Sequence, residues 1–345
     1  ARVWDIGNPN AGIRQVEQQG ERNYRTQFSP DGNRFASADG GSTVRIRDAA
    51  TGELVQELAT DPEHGIFSLA FSPKDQNLLA VGHGGAKEAS FVSLWDIKAG
   101  VERARLPGKI GLADVHFDEP IGVIGTLTFS PDGRYLVAGF GHPYYYNPQA
   151  EPIPIIVWEV ETRNVVRLLD GHMNYCRSLQ FSRDGSLLVS GSRDGAARIW
   201  STTTWKLTMP PLENSDAGTQ FTQGSNRVED IALSPDGKIL AMASGGGALL
   251  LWNFETGELL EMFAGHSAAV NAVEFSPDGH TLASGSADQT VRLWNVDTRR
   301  ELMQLKSNDV KLGEIWALVF SPDGRKLIAG GAKTVIWSTT PAGGK

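Results

Sequence analysis

Cysteine is nearly absent. Cys176 is the only one in 345 residues, so no disulfide can form within the chain. It sits in an apolar stretch just before Phe181, the setting of a small buried hydrophobe rather than a reactive thiol. A single cysteine fits a reducing compartment, and a cytoplasmic location is the expectation. No apolar run reaches the 18 or so residues of a membrane span, so no membrane is expected as a partner. No basic-then-apolar N-terminus marks a secretion signal. Basic runs are missing too: none exceeds two residues, and 32 Lys and Arg against 40 Asp and Glu leave a net charge of −8. Phosphate binding needs clustered Lys and Arg, so nucleic acid is not expected as the main partner. No phosphate-cradling glycine motif is present, and Gly82-His83-Gly84-Gly85 reads as a loop. No nucleophile-elbow pattern occurs. His83, His142 and His116 beside Asp118 and Glu119 lack the spacing of a metal site on a fixed element. Neither cofactor nor metal is expected.

What the chain has is repetition. Phe-Ser-Pro-Asp-Gly or a close variant begins at Phe28, Phe71, Phe129, Phe181, Leu233, Phe275 and Phe320, spaced by 43, 58, 52, 52, 42 and 45 residues. Each copy leads into an apolar stretch that, in most repeats, ends near a Trp. A period near 40–45 with a terminal Trp predicts a β-propeller with one small sheet per repeat. No repeat can bury its own faces, so stacking makes the core. Residues 265–305 show how one blade arises. Val270 to Phe275 reads as an inner strand. Ser276-Pro277-Asp278-Gly279 is a turn, with Pro suited to its first central position and Gly to positive φ. Thr281 to Ser284, Thr290 to Val296 and Glu301 to Leu305 follow as three more strands. The strands are called a, b, c and d from the inside out.

Gly265-His266, Ser284, Asp288 and Trp294-Asn295 resemble the signature of the WD-repeat family, as do Gly171-His172, Ser190, Asp194 and Trp200-Ser201. The resemblance spans essentially the whole chain. It implies an all-β, seven-bladed propeller of four-stranded antiparallel blades, closed by an N-terminal strand. It also implies that His172, Ser190, Asp194 and Trp200, and likewise His266, Ser284, Asp288 and Trp294, form hydrogen-bonded structural tetrads. Ser, His and Asp also make a hydrolytic triad. Both sets here are separated by 18, 4 and 6 residues, which is expected of repeated staples and odd for two identical active sites. Repeat 1 has Arg47 where Trp is usual, repeat 5 has Gly245-Gly246-Gly247 in its b–c turn, and repeat 7 has Trp337 without the His or Asp.

The expectation is one domain over residues 1–345, with blades starting near 23, 66, 123, 175, 228, 270 and 315 and a closing segment at 1–20. Ile13 to Gln18 should supply the outer strand that repeat 7 lacks, as is common in that family. Arg2-Val3-Trp4-Asp5 reads as a spare strand c, consistent with a portion of a larger protein.

Function on a repeat scaffold should sit where the period breaks. The a–b turns are compact, whereas the d–a and b–c connections carry the insertions, and in a meander these share one face. Two insertions meet over repeat 3. One spans Pro107 to Ile121 with Leu112, Val115, His116 and Phe117. The other spans Gly141 to Pro154 with His142, Tyr144, Tyr145 and Tyr146. A third, Leu212 to Arg227, is mostly polar. Leu112, His116, Phe117, His142, Tyr144, Tyr145 and Tyr146 are read as a protein- or peptide-binding surface, since Tyr offers area plus a polar tip. A local cap over the blade edge is the other reading. The expected function is a non-enzymatic interaction module, scaffold or sensor, of unknown oligomeric state. The alternatives are an enzyme with a central-channel site and a structural spacer. The inner strands read as mainly apolar and small polar, which disfavours channel chemistry.

Overall fold

The computed structural model describes residues 14–16, 25–84, 90–107, 122–141, 152–214, 226–305 and 313–338. Every regular element among them is a β-strand. In repeat 6 the four strands are Val270–Phe275, Thr281–Ser286, Val291–Asn295 and Arg300–Leu305, paired in that order. Repeats 1, 4, 5 and 6 each form a separate four-stranded sheet. Repeats 2 and 3 share one eight-stranded sheet, joined by the pairing of Val123 with Gly84. The sixth sheet holds Ala317–Phe320, Lys326–Gly330, Thr334–Ser338 and, as its outer strand, Arg14–Val16. The architecture is a β-propeller of four-stranded antiparallel blades. Arg14 lies opposite Ile336, Gln15 opposite Val335 and Val16 opposite Thr334. The two ends of the chain are thereby tied, which removes an open sheet edge. Residues 1–13, with the strand-like Arg2 to Asp5, lie outside the described residues.

Composition follows position in the blade. Strand b of repeat 6 is buried at all six positions and reads Thr-Leu-Ala-Ser-Gly-Ser. Both its faces meet neighbouring sheets, so small residues fill the narrow inner part of the wedge. Strand d of the same repeat is largely open and reads Arg-Glu-Leu-Met-Gln-Leu. In repeat 4 the regular part of strand d shrinks to Leu212–Glu213. Pro210 and Pro211 just before it cannot donate to a ladder.

The core lies between sheets. Ala232, Leu249 and Leu251 of repeat 5 pack on Val270, Val273 and Leu282 of repeat 6. Phe263 stacks flat on Trp294 across that interface, with ring centroids 5.0 Å apart. Phe28, Phe35 and Ala49 of repeat 1 pack on Ile328 and Ile336 of repeat 7, and Lys326 Nζ donates to Ala49 O at 2.5 Å. The inner strand of repeat 1, Arg25–Phe28, lies beside those of both repeat 2, Gly65–Phe71, and repeat 7. Burying one such aliphatic or Phe side chain stabilises by roughly 1.5–3 kcal/mol, so stacking, not any single sheet, holds the chain together.

The a–b turns repeat in detail. In six of them the Ser hydroxyl donates to the Asp carboxylate two residues on, at 2.5–2.6 Å. The turn Gly takes φ between +67° and +77°, where a side chain would be strained. These turns also touch across repeats: a Cβ on Gly32 would lie 3.0 Å from Pro322.

Candidate functional site

The two predicted tetrads are assembled. In repeat 4, Trp200 Nε1 donates to Ser190 Oγ at 2.9 Å, His172 Nε2 lies 2.8 Å from Ser190 Oγ, and His172 Nδ1 lies 2.9 Å from Asp194 Oδ2. In repeat 6 the corresponding distances for Trp294, Ser284, His266 and Asp288 are 2.8, 2.8 and 2.9 Å. In repeat 6 one hydrogen order satisfies the chain, indole N–H to hydroxyl, hydroxyl to Nε2, and Nδ1–H to carboxylate; in repeat 4 Arg198 Nη1, a donor only, also lies 2.6 Å from His172 Nδ1 and donates to Asp194 Oδ2 at 2.9 Å. Burial lowers the pKa of both His172 and His266, outweighing the carboxylates beside them, so both rings are neutral at pH 7. Burial alone would raise Asp194, but its bonds to His172 and the nearby Arg198 hold it at about 2. The Ser–His–Asp order matches that of a hydrolase. Yet Ser190 and Ser284 are 0% exposed, and each Oγ already accepts an indole N–H, so no substrate reaches them from solvent.

The other repeats show what the missing hydroxyl costs. Strand register places Ala138, Met242 and Ala329 where repeats 4 and 6 have Ser190 and Ser284. The indole nitrogens of Trp158, Trp252 and Trp337 accordingly have no hydrogen-bond partner among the described residues. Repeat 2 solves the problem differently. Trp95 Nε1 donates to Ser93 Oγ at 2.8 Å, and His83 Nε2 lies 2.7 Å from the same oxygen. Here the Ser is on strand c and the His on strand b. Gly82 to Gly84 therefore belongs to strand Leu78–Gly84, a correction to its reading as a loop. His83 stacks on Phe91, and burial, with His64 and Arg105 adding to it, lowers its pKa to about 4.

Leu112, His116, Phe117, His142, Tyr144, Tyr145 and Tyr146 all lie outside the described residues. Their anchors are described, and they converge. Val123 pairs with Gly84 on one side and Gly141 on the other. Ser90 Oγ donates to Gly122 O at 2.8 Å. The chain leaves and re-enters through these residues at segments 85–89, 108–121 and 142–151. All three inserted or loop segments thus start or end around one backbone position. Tyr175 of repeat 4 packs into the same corner: a Cβ on Gly125 would lie 2.2 Å from its ring, and one on Gly141 2.4 Å from its Cα. Only glycine lets that ring approach.

Beside this corner the inner strands lie together, and their chemistry corrects the reading of them as mainly apolar and small polar. Five inner strands break register by one residue near their start, which pushes out Phe67, Gly125, Arg177, Glu229 and Asn271. Bulges re-aim side chains and free carbonyls from the ladder. Arg25 takes two of those carbonyls, Phe67 O at 2.8 Å and Gly125 O at 2.6 Å. Burial, with Arg177 nearby, lowers its pKa to about 10, which leaves it charged at neutral pH. Glu229 pairs with Arg177 at 3.3 Å and Arg193 at 3.0 Å, and both arginines lie over the Tyr175 ring. Asp230 accepts Val273 N at 3.0 Å. These charges were readable in the sequence; the bulges that set Arg177 and Glu229 out of the ladder were not.

No group of three or more potential metal ligands occurs among the described residues. Residues 163–201, 218–253, 257–295 and 302–337 match the family described as WD domain, G-beta repeat. The chain belongs to the WD-repeat family. It is similar to the serine-threonine kinase receptor-associated protein of Gallus gallus, 26% identical over 222 residues, covering 63% of this chain and 55% of that protein. It is also similar to a periodic tryptophan protein 2 homolog of Neurospora crassa, 33% identical over 38% of this chain and 13% of that protein. A third relative is the transducin beta-like protein 3 of Rattus norvegicus, 27% identical over 63% of this chain and 30% of that protein. The matched part spans about half or less of each relative's length.

Proposed function

We propose that this chain is a non-enzymatic protein-interaction module, a scaffold or sensor, built as one ring of seven blades and closed by its N-terminal strand. Supporting the ring are the packing of repeat 1 on both repeat 2 and repeat 7 and the pairing of Arg14–Val16 with the last strand. The partner is a protein or peptide that docks on the face of the d–a and b–c connections near repeat 3. The observation that carries this reading is the convergence of three loop anchors on Val123, which gathers the aromatic insertions over one corner of a rigid scaffold. Family membership supports the interaction role, since WD-repeat propellers are in general interaction proteins. One relative's name describes it as associated with a kinase receptor; only the general role of binding other proteins is carried over.

A second reading, chemistry in the central channel, has the charged inner strands in its favour, Glu229, Asp230 and Glu274 among them. Against it, Cys176, the one thiol, is fully buried. The experiment for the leading reading replaces Tyr144, Tyr145 and Tyr146 by Ser and compares quantitative affinity capture with that of the intact chain. The expected result is an unchanged melting temperature and at least tenfold weaker recovery of a saturable partner, about 1.4 kcal/mol. Equal recovery refutes this face as the docking site, and loss of folding assigns the tyrosines to a cap.

A further inference from the structure

The channel end opposite the loops holds a cavity of about 390 Å³ between the inner strands and a–b turns of repeats 4 to 7. Its lining is mixed: Phe181, Leu233, Phe275 and Phe320 stand beside Gln180, Arg183 and Ser234, and Glu274 is the one carboxylate. No hydrogen bond reaches the Glu274 carboxyl among the described residues. The side chain is half-buried and lies on the cavity lining, so only water solvates it in the empty site. Gln180 already accepts Leu233 N with its amide oxygen at 2.6 Å, and the inner strand of repeat 7 is Ala-Leu-Val-Phe. The charge closest in effect is Asp230 on the adjacent inner strand, which is of like sign. Arg183 stands exposed at the rim.

We propose that this cavity binds an alkylammonium group, the alkyl chain against the apolar walls and the ammonium against Glu274. The site is independent of the partner surface proposed above and lies on the other face. A carboxyl with no protein partner beside the apolar side chains of Phe181, Leu233, Phe275 and Phe320 suits a cation that carries a short alkyl chain. An anion would meet the field of Asp230. Burial, with Asp230 adding to it, raises Glu274 to about 8, so the empty site is mostly protonated at pH 7. An entering ammonium therefore displaces one proton from the carboxyl to solvent. Binding should tighten about tenfold between pH 6 and 7 and level off above about 8, as linkage requires. The source of the ammonium is either a lysine side chain of a protein or a free amine.

The test titrates the whole chain with n-butylammonium, butyrate and butanol, and with capped lysine amide and its Nε-acetylated form, followed by calorimetry or NMR. The same series is run on Glu274→Gln, which keeps the size of the side chain and removes its charge. The expected result is butylammonium binding at least tenfold tighter than butanol, lost in Glu274→Gln and tightening with pH. Capped lysine binding at least as well, with the acetylated form not binding, assigns a protein side chain as the occupant; butylammonium binding alone assigns a free amine. Butyrate preferred over butylammonium, binding unchanged in Glu274→Gln, or no binding of either amine overturns the proposal.

Discussion

Ser284→Ala removes a single oxygen that serves two buried groups. Trp294 Nε1 and His266 Nε2 each lose a partner at 2.8 Å, and no water can replace it, because Ser284 is 0% exposed. A buried donor or acceptor left unpaired costs about 1–3 kcal/mol, so two of them put the loss at about 2–6 kcal/mol in all. Almost none of this is a cavity effect, since only one atom leaves. His266→Ala removes the ring and leaves the Ser284 hydroxyl without an acceptor, while Asp288 keeps Ser267 N, Thr290 N and Thr290 Oγ1; the unpaired hydroxyl costs about 1–3 kcal/mol. The two losses overlap, because one bond is common to both. The double variant should therefore be less destabilised than the sum by about 1–2 kcal/mol, within the usual range of coupling for contacting residues. Urea denaturation followed by circular dichroism on the four proteins of the cycle gives the coupling directly. Additivity within about 0.5 kcal/mol would refute the relay described for repeat 6, and so would a Ser284→Ala variant as stable as the parent.

Ala329→Ser places a hydroxyl where repeats 4 and 6 have one, beneath the unpartnered indole of Trp337; it should stabilise by up to about 1 kcal/mol, and a lowered melting temperature counts against the register argument. Deleting residues 1–19 removes the outer strand Arg14–Val16 and exposes the edge of Thr334–Ser338, so aggregation by light scattering should rise; scattering unchanged from that of the intact chain sinks the closure argument. Acid should weaken the fold early. His83 has a folded pKa of about 4, below the unfolded value near 6.5, so the unfolded chain binds the proton first. The stability it contributes is complete above about 6.5 and is lost as pH falls towards about 4. His172 and His266 shift in the same direction. Melting temperature should fall between pH 7 and 5, and less steeply in His83→Gln; an identical slope in that variant would assign the loss elsewhere.

The repeat, the blade meander and the two tetrads were legible in the linear order because they are local. His266, Ser284, Asp288 and Trp294 sit within one sheet, and fixed separations along adjacent antiparallel strands bring them together however the sheets are arranged. The turn of Ser276 to Gly279 is likewise written in its own four residues. The His83–Ser93–Trp95 network escaped because its Ser sits on strand c, two residues before the Trp, outside the spacing of the other repeats. Closure of the last sheet by Arg14–Val16 was legible as a missing strand at one end and a spare one at the other. The channel was not legible. Arg25 meets the carbonyl of Gly125 across 100 residues, and Glu274 faces Asp230 from the next repeat. Such meetings depend on one-residue bulges and on the order in which sheets stack. Short-range periodicity encodes strands and their hydrogen-bonded faces, because those depend on residues a few positions apart. Which charges look at each other across the channel is set only when the sheets pack, since no local pattern distinguishes an inner-strand residue aimed at a neighbour from one aimed at the channel.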